Sequence, residues 1–203
     1  MNSKQFLISI SKFSTTSESI KVSHTSLYPP RPLRVEEGDQ EAFLETYCRQ
    51  YGSCSAIHVG EVLGDVRPLL IDIDISRPTQ VGDDEGCPLS LYSKADVVHT
   101  VRLIQEAIED VFDGCDRIDE LQRCVYLEKP SYISREKYKN GFHLHFPYLF
   151  SNRKVFDDNI FPQISDLINQ YYDHKYGYKN VLDSTVSSWL MYGSNKPCDK
   201  YRY

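Results

Sequence analysis

The sequence predicts an α+β fold with a mostly antiparallel sheet, on three observations. Strand-like and helix-like segments alternate, but without the regular βαβ rhythm of a parallel sheet. Two strand-like runs, SAIHVGEV (55–62) and VRPLLIDIDIS (66–76), are separated by Gly64-Asp65, which suggests an antiparallel hairpin. The clearest helix, SKADVVHTVRLIQEAIEDVFDG (93–114), repeats Val97, Val101, Ile104, Ile108, Val111 and Phe112 at helical spacing.

The remaining elements follow in chain order. QFLISI (5–10) reads as a first strand. Residues 14–38 hold Pro29, Pro30 and Pro32 and read as an irregular arm. DQEAFLETYCRQYG (39–52) reads as a helix, with Asp39 as N-cap, Phe43, Leu44, Tyr47 and Tyr51 on one face, and Gly52 at its end. After the hairpin comes an acidic loop with Gly82, Gly86 and Pro88. The helix over 93–114 carries a capping box, Ser93 with Asp96, and Gly114 where a C-terminal cap belongs. RCVYLEK (123–129) is a short strand, then a basic loop, then GFHLHFPYLF (141–150) as another strand. Residues 154–176 form a second long helix with Ile160, Ile164, Leu167, Ile168 and Tyr171 inward and Gly177 after it. VLDSTV (181–186) and SWLMYG (188–193) close the chain as strands. Residues 1–54 read as a strand, arm and helix packed on a core formed by 55–203.

The 203 residues are 40% hydrophobic and 26% charged, ordinary values for a globular protein with a sizeable core. A net charge of −6 argues against a protein that simply coats nucleic acid, which needs clustered Lys and Arg. It is compatible with an enzyme that holds cations on carboxylates. Six cysteines (Cys48, Cys54, Cys87, Cys115, Cys124, Cys198) show no C-x-x-C spacing, so reduced thiols in an intracellular compartment are expected. A structural zinc on Cys87, Cys115 and Cys124 is not expected, because their spacing is irregular. MNSKQFLISISKF lacks a long apolar run, so neither secretion nor membrane insertion is expected.

LLIDIDIS is the most informative segment. Alternate residues of a strand share a face, so Ile71, Ile73 and Ile75 point one way and Leu70, Asp72 and Asp74 the other. Two residues advance about 6.6 Å along a strand, so the two carboxylates can lean together over divalent cations about 3.5–4 Å apart. Carboxylates among Leu and Ile neighbours are costly if unpaired, and a metal removes that cost. An edge strand with a wet polar face gives the same alternation. His143 and His145 share one face of the strand KNGFHLHFPYL. His143 is either a nucleotide-phosphate donor or a core histidine bonded to a carbonyl, and His145 reads as structural. The segment before it supplies Lys129, Arg135, Lys137 and Lys139 with Tyr132 and Tyr138 interleaved, a composition suited to phosphate contact and base stacking or to a solvated hairpin. VLDSTVSSWLMYGSNKP adds Asp183 as a third carboxylate. It also adds the turn Gly193-Ser194-Asn195-Lys196, whose donors and ammonium can cradle a triphosphate or simply close an ordinary turn.

Taken in order, these motifs resemble the archaeo-eukaryotic primase superfamily: D-x-D on a hydrophobic strand (Asp72-Ile73-Asp74), a histidine after a small residue (Gly141-Phe142-His143), then Asp183 followed by a strand and a G-S-x-K turn. The resemblance is greatest to the primase end of the primase–helicases of large nucleocytoplasmic DNA viruses of pox, asfar and irido type, and covers roughly residues 55–200. It implies a two-lobed core, an αβ lobe joined to an RRM-like lobe. It implies Mg²⁺ or Mn²⁺, two ions, on Asp72, Asp74 and Asp183, and nucleotide contacts from His143, Ser194 and Lys196, with Lys139 as a further candidate. The implied activity is priming on a single-stranded DNA template from NTP or dNTP, with a helicase in cis or in trans, in a virus-encoded protein acting inside the host cell. Two departures stand out. Some relatives carry an arginine on the strand entering the turn, where this chain has Trp189-Leu190-Met191, so phosphate binding would lean on Lys196 or on the 129–139 segment. The sequence also stops seven residues after Lys196, where family members continue into more sheet and a helicase, so a fragment or a short form is expected. Two rivals remain: another D-x-D enzyme such as a metal-dependent glycosyltransferase, and a catalytically inactive primase-like module that binds partners or single strands.

Overall fold

The computed structural model describes residues 9–14, 21–27, 30–51, 57–83, 89–183 and 188–194. Among them are four helices and two four-stranded sheets, every pair of strands antiparallel. The expected α+β class with antiparallel sheets is what the chain adopts. The chain divides into two compact units, Met1–Leu63 with Ser187–Tyr203, and Gly64–Val186. The first unit is discontinuous in sequence, which no single linear boundary can express.

In the first unit the strands are β1 (His24–Leu27), β2 (Pro30–Leu33), β3 (Val59–Val62) and β8 (Ser188–Leu190), in the order β2-β1-β3-β8. The proline-rich arm is therefore a hairpin rather than irregular. β2 lies at the sheet edge, where Pro30 and Pro32 cost no ladder hydrogen bond. Ser9 and Ile10 are helical and lead into a 3₁₀ turn, Ser11–Phe13, so the described end of the predicted first strand is not a strand. Residues 5–8 lie outside the described residues. Helix α1 (Gln40–Tyr51) buries Phe43 and Tyr47 as expected. Leu44 and Tyr51 are exposed, and Gln50 takes the inward place instead. Ile10, Phe13, Leu33, Val35, Phe43, Tyr47, Ile57 and Val59 form the core, with Phe13 and Phe43 edge to face at 5.4 Å.

The second unit contains β4 (Val66–Pro78), β5 (Val125–Ser134), β6 (Lys137–Asn152) and β7 (Leu182–Asp183), in the order β5-β6-β4-β7. Gly64-Asp65 does not join a hairpin. β3 takes β1 and β8 as neighbours, and β4 takes β6 and β7, so the two strands belong to different sheets. Helix α2 (Lys94–Val111) starts at the predicted capping box, with both Ser93 and Asp96 bonds made. A single turn, α3 (Ile118–Leu121), follows it. Helix α4 (Phe161–Tyr176) begins later than its sequence pattern. A helical turn (Arg153–Val155) and one wider turn (Phe156–Ile160) precede it, and Gly177, at φ 75°, ends it. Leu167 is exposed, while Tyr172 is fully buried.

The core of this unit packs Ile71, Ile73 and Ile75 of β4 and Phe142, Leu144 and Phe146 of β6 against Ile104 and Ile108 of α2 and Ile164 and Ile168 of α4. Each such side chain contributes roughly 2 kcal/mol by leaving water. One face of the sheet is thereby committed to the helices, which turns the alternate residues, Asp72 and Asp74 among them, to the opposite face. The expected basic loop between β5 and β6 is instead a continuous hairpin, with Arg135 and Glu136 at its tip, both at positive φ. Tyr138 is buried and bonded to the Leu89 backbone, so it has no exposed face for a base.

Candidate functional site

Register decides what the polar face of this sheet carries. Leu127, His143, Asp72 and Asp183 are successive cross-strand partners and form one row across all four strands. The adjacent row is Lys129, Gly141 and Asp74, and the next is Tyr132, Lys139 and Ser76. Asp183, 109 residues beyond Asp74, thus arrives beside Asp72 because β7 pairs with the free edge of β4. Asp72, Asp74 and Asp183 each present a carboxylate oxygen within 4.8 Å of the other two.

The two carboxylates of the D-x-D differ in setting. The Asp72 side chain is 17% exposed and that of Asp74 64%, so the cluster is closed at Asp72 and open at Asp74. His143 Nε2 stands 3.5 Å from Asp72 Oδ1. Burial pushes the Asp72 carboxyl upward, but the His143 hydrogen bond and the Lys129 ammonium outweigh it and hold the group below the usual carboxylate range. The ammonium of Lys129 donates to Asp72 Oδ1 and, at 2.5 Å, to Asp74 Oδ1. Three carboxylates and one ammonium carry a formal −2, which a divalent cation matches. All-oxygen donors select hard ions such as Mg²⁺ or Mn²⁺ over soft ones.

The other expected site residues are placed as follows. Lys139 lies on the same sheet face as Asp72 and His143, with its ammonium 6.0 Å from the Tyr132 ring. Ser194 belongs to the first unit. Its buried hydroxyl bonds the Tyr47 hydroxyl (2.9 Å) and accepts from the Val59 amide (3.1 Å), fastening the turn at Tyr192-Gly193. Lys196 and Asn195 lie outside the described residues, as does Cys87, while Cys115 and Cys124 are free thiols. Trp189-Leu190 lies at the end of β8, with Trp189 opposite Glu61 and Met191 packed on the first core. His145 pairs with Leu70 and Val125, and burial pushes its imidazole below the ordinary histidine range.

Sequence reasoning treated Lys129 as one of several loop cations. It is instead a buried strand residue aimed at the carboxylates. The alternation of Val125, Leu127 and Lys129 was a usable signal for its face. The register that sets it beside Gly141 and Asp74 was not readable.

Residues 23–203 match the model of the family described as "C962R protein N-terminal AEP domain". The protein named "Putative helicase 121R" of Invertebrate iridescent virus 3 is 33% identical over 188 residues, 86% of this chain and 19% of that protein. "Putative helicase 184R" of Invertebrate iridescent virus 6 is 29% identical over 175 residues, 77% of this chain and 18% of that protein. The chain thus spans less than a fifth of the length of these relatives. No helix among the described residues is long and apolar enough to cross a membrane. With its match running over nearly the whole sequence, the chain belongs to the C962R-type N-terminal AEP domains, a branch of the archaeo-eukaryotic primases.

Proposed function

We propose that this chain is the primase domain of a virus-encoded primase–helicase and joins nucleotides on a single-stranded DNA template. The observation that carries the reading is the convergence of Asp72, Asp74 and Asp183 beside His143 on one sheet face. In this reading the three carboxylates hold two divalent ions, Mg²⁺ or Mn²⁺. When bound, these ions lower the pKa of the attacking 3′-hydroxyl and stabilise the departing pyrophosphate.

The chain's own side chains do the rest. Asp72, kept ionised by His143 and Lys129, would be one of the metal's ligands. Asp74, whose side chain is mostly exposed, would be the solvent-facing member of the ligand set. His143 and Lys139 face the same side as the carboxylates and are assigned to the triphosphate, while Lys196, expected from the sequence as a further contact, lies outside the described residues. Ser194 is assigned to holding the turn at Tyr192-Gly193 rather than to nucleotide contact, because its hydroxyl is already engaged within the first unit. The helicase named in the relatives would act in cis or in trans.

The test supplies the purified chain with a single-stranded template, labelled NTPs or dNTPs, and Mn²⁺. The expected result is oligonucleotide product from wild type and a loss of at least about 100-fold in Asp72→Ala/Asp74→Ala, on the scale of removing metal-held transition-state stabilisation. Equal product from both proteins removes the reading. Product that needs no template points to another metal-dependent transferase. Absence of product from a wild type that still binds single strands points to a binding module.

A further inference from the structure

Lys129 is the most buried cation of the candidate site, with a side chain only 6% exposed, and it reaches its partners by an unusual route. It stands on β5, and its partners Asp72 and Asp74 stand on β4, two strands away across β6. Neighbouring strands are about 4.8 Å apart, so the side chain must cross the whole of β6. It crosses at Gly141, its own cross-strand partner, where no side chain blocks the way. Its ammonium then donates to one oxygen on each of two carboxylates and lies 3.5 Å from the Ile73 carbonyl. Asp72 and Asp74 are two of the three groups whose oxygens converge. A divalent ion bridging Asp72 and Asp74 competes with the ammonium for the charge of these two carboxylates.

We propose that Lys129 is a built-in counter-cation that occupies the carboxylate pair in the metal-free protein and must be displaced when a divalent ion enters. This rests on the metal-site reading above. It assigns to Lys129 a positioning role that sets the threshold for metal loading. A displaced ammonium keeps its charge in a confined place on the face that carries His143 and Lys139. An anionic ligand arriving there gains a cation only once the metal has released it. Metal entry and anion binding are thereby linked in the same direction, because anything that stabilises the displaced position of Lys129 favours the metal-loaded state.

The experiment titrates Mn²⁺ alone into the 203-residue chain and into Lys129→Met and Lys129→Arg, reading free Mn²⁺ by electron paramagnetic resonance. Removing a competing charge from the ligands should tighten the first Mn²⁺ by about tenfold or more in Lys129→Met and leave Lys129→Arg near wild type. Lys129→Met should also melt lower without metal and gain more in Tm from Mn²⁺ than wild type does. A second measurement does not depend on the variants folding. Acetylation of Lys129 in wild type, followed by mass spectrometry against the other lysines, should rise at least about threefold as Mn²⁺ saturates the site, since a paired ammonium is a poor nucleophile. Equal or weaker Mn²⁺ binding by Lys129→Met, or Lys129 labelling that Mn²⁺ leaves unchanged, overturns the inference while the metal site itself stands. Binding of Mn²⁺ by none of the proteins overturns both.

Discussion

Gly141→Ala tests the packing of the site at its narrowest point. A Cβ on residue 141 would lie 2.0 Å from the Ile73 carbonyl oxygen, 3.1 Å from its carbonyl carbon and 3.4 Å from Asp74 Cα. All three are backbone atoms of β4, which is bracketed by β6 and β7 and cannot rotate aside. An ordinary contact of about 3.4 Å requires the strands to part by more than about 1 Å, and forced overpacking of this kind costs about 3 kcal/mol. In a unit of this size that corresponds to a fall in Tm of roughly 6–12 °C. Parting β6 from β4 at this point also shifts the row that carries His143 and Asp72. Thermal unfolding followed by circular dichroism, together with a Mn²⁺ titration, reads both effects. A variant that melts within about 2 °C of wild type and binds Mn²⁺ unchanged would refute the argument.

Two further outcomes follow from the second unit. Asp96 is fully buried at the start of α2 and accepts from the Ser93 amide and hydroxyl, from the Tyr171 and Tyr176 hydroxyls and from Lys175 near the end of α4. Burial alone would raise its carboxyl, yet the bonds from Lys175, Tyr171 and Ser93 hold it far below the usual range. Its contribution is therefore complete above the unfolded value near ~4 and is lost as pH falls below it. Asp96→Asn should cost about 2 kcal/mol at neutral pH and flatten the decline of Tm on acidification below about pH 4, measured by calorimetry. A variant whose acid limb is as steep as that of wild type would assign that limb to other carboxylates. At the β5–β6 tip, Arg135 and Glu136 sit at φ 48° and 61°, where glycine and asparagine are at ease. Arg135→Asn/Glu136→Gly should stabilise the unit by about 1 kcal/mol in urea unfolding, and a loss of stability would mean that the tip is held by contacts outside the turn.

The parts of this molecule that were legible in sequence are those written by local periodicity. The Ser93–Asp96 box, the Val97/Ile104/Ile108 stripe, the Gly177 stop and the two faces of LLIDIDIS all reflect interactions within a few residues. What local pattern does not encode is which strand lies beside which. Gly64-Asp65 has the composition of a tight turn, yet the strands on either side of it find other neighbours. Pro30 and Pro32 suggest a loop, yet an edge strand has no need of their missing amide hydrogens. The same blindness to pairing hid Lys129. Its neighbours in sequence are a loop-like Pro-Ser-Tyr, while its neighbours in space are Gly141, Asp72 and Asp74. Asp183 was found through the order of three motifs rather than through any spacing, because the 108 residues between it and Asp74 fold into α2, the β5–β6 hairpin and α4.

The claim on which the functional reading stands is that Asp72, Asp74 and Asp183 jointly hold a divalent cation. Anomalous diffraction from a crystal of the chain soaked in Mn²⁺ tests it most directly. The account predicts a peak bonded to oxygens of all three carboxylates, on the face of β4 that carries His143. A soaked crystal with no peak there, or with manganese bound by one of the three carboxylates alone, would contradict it.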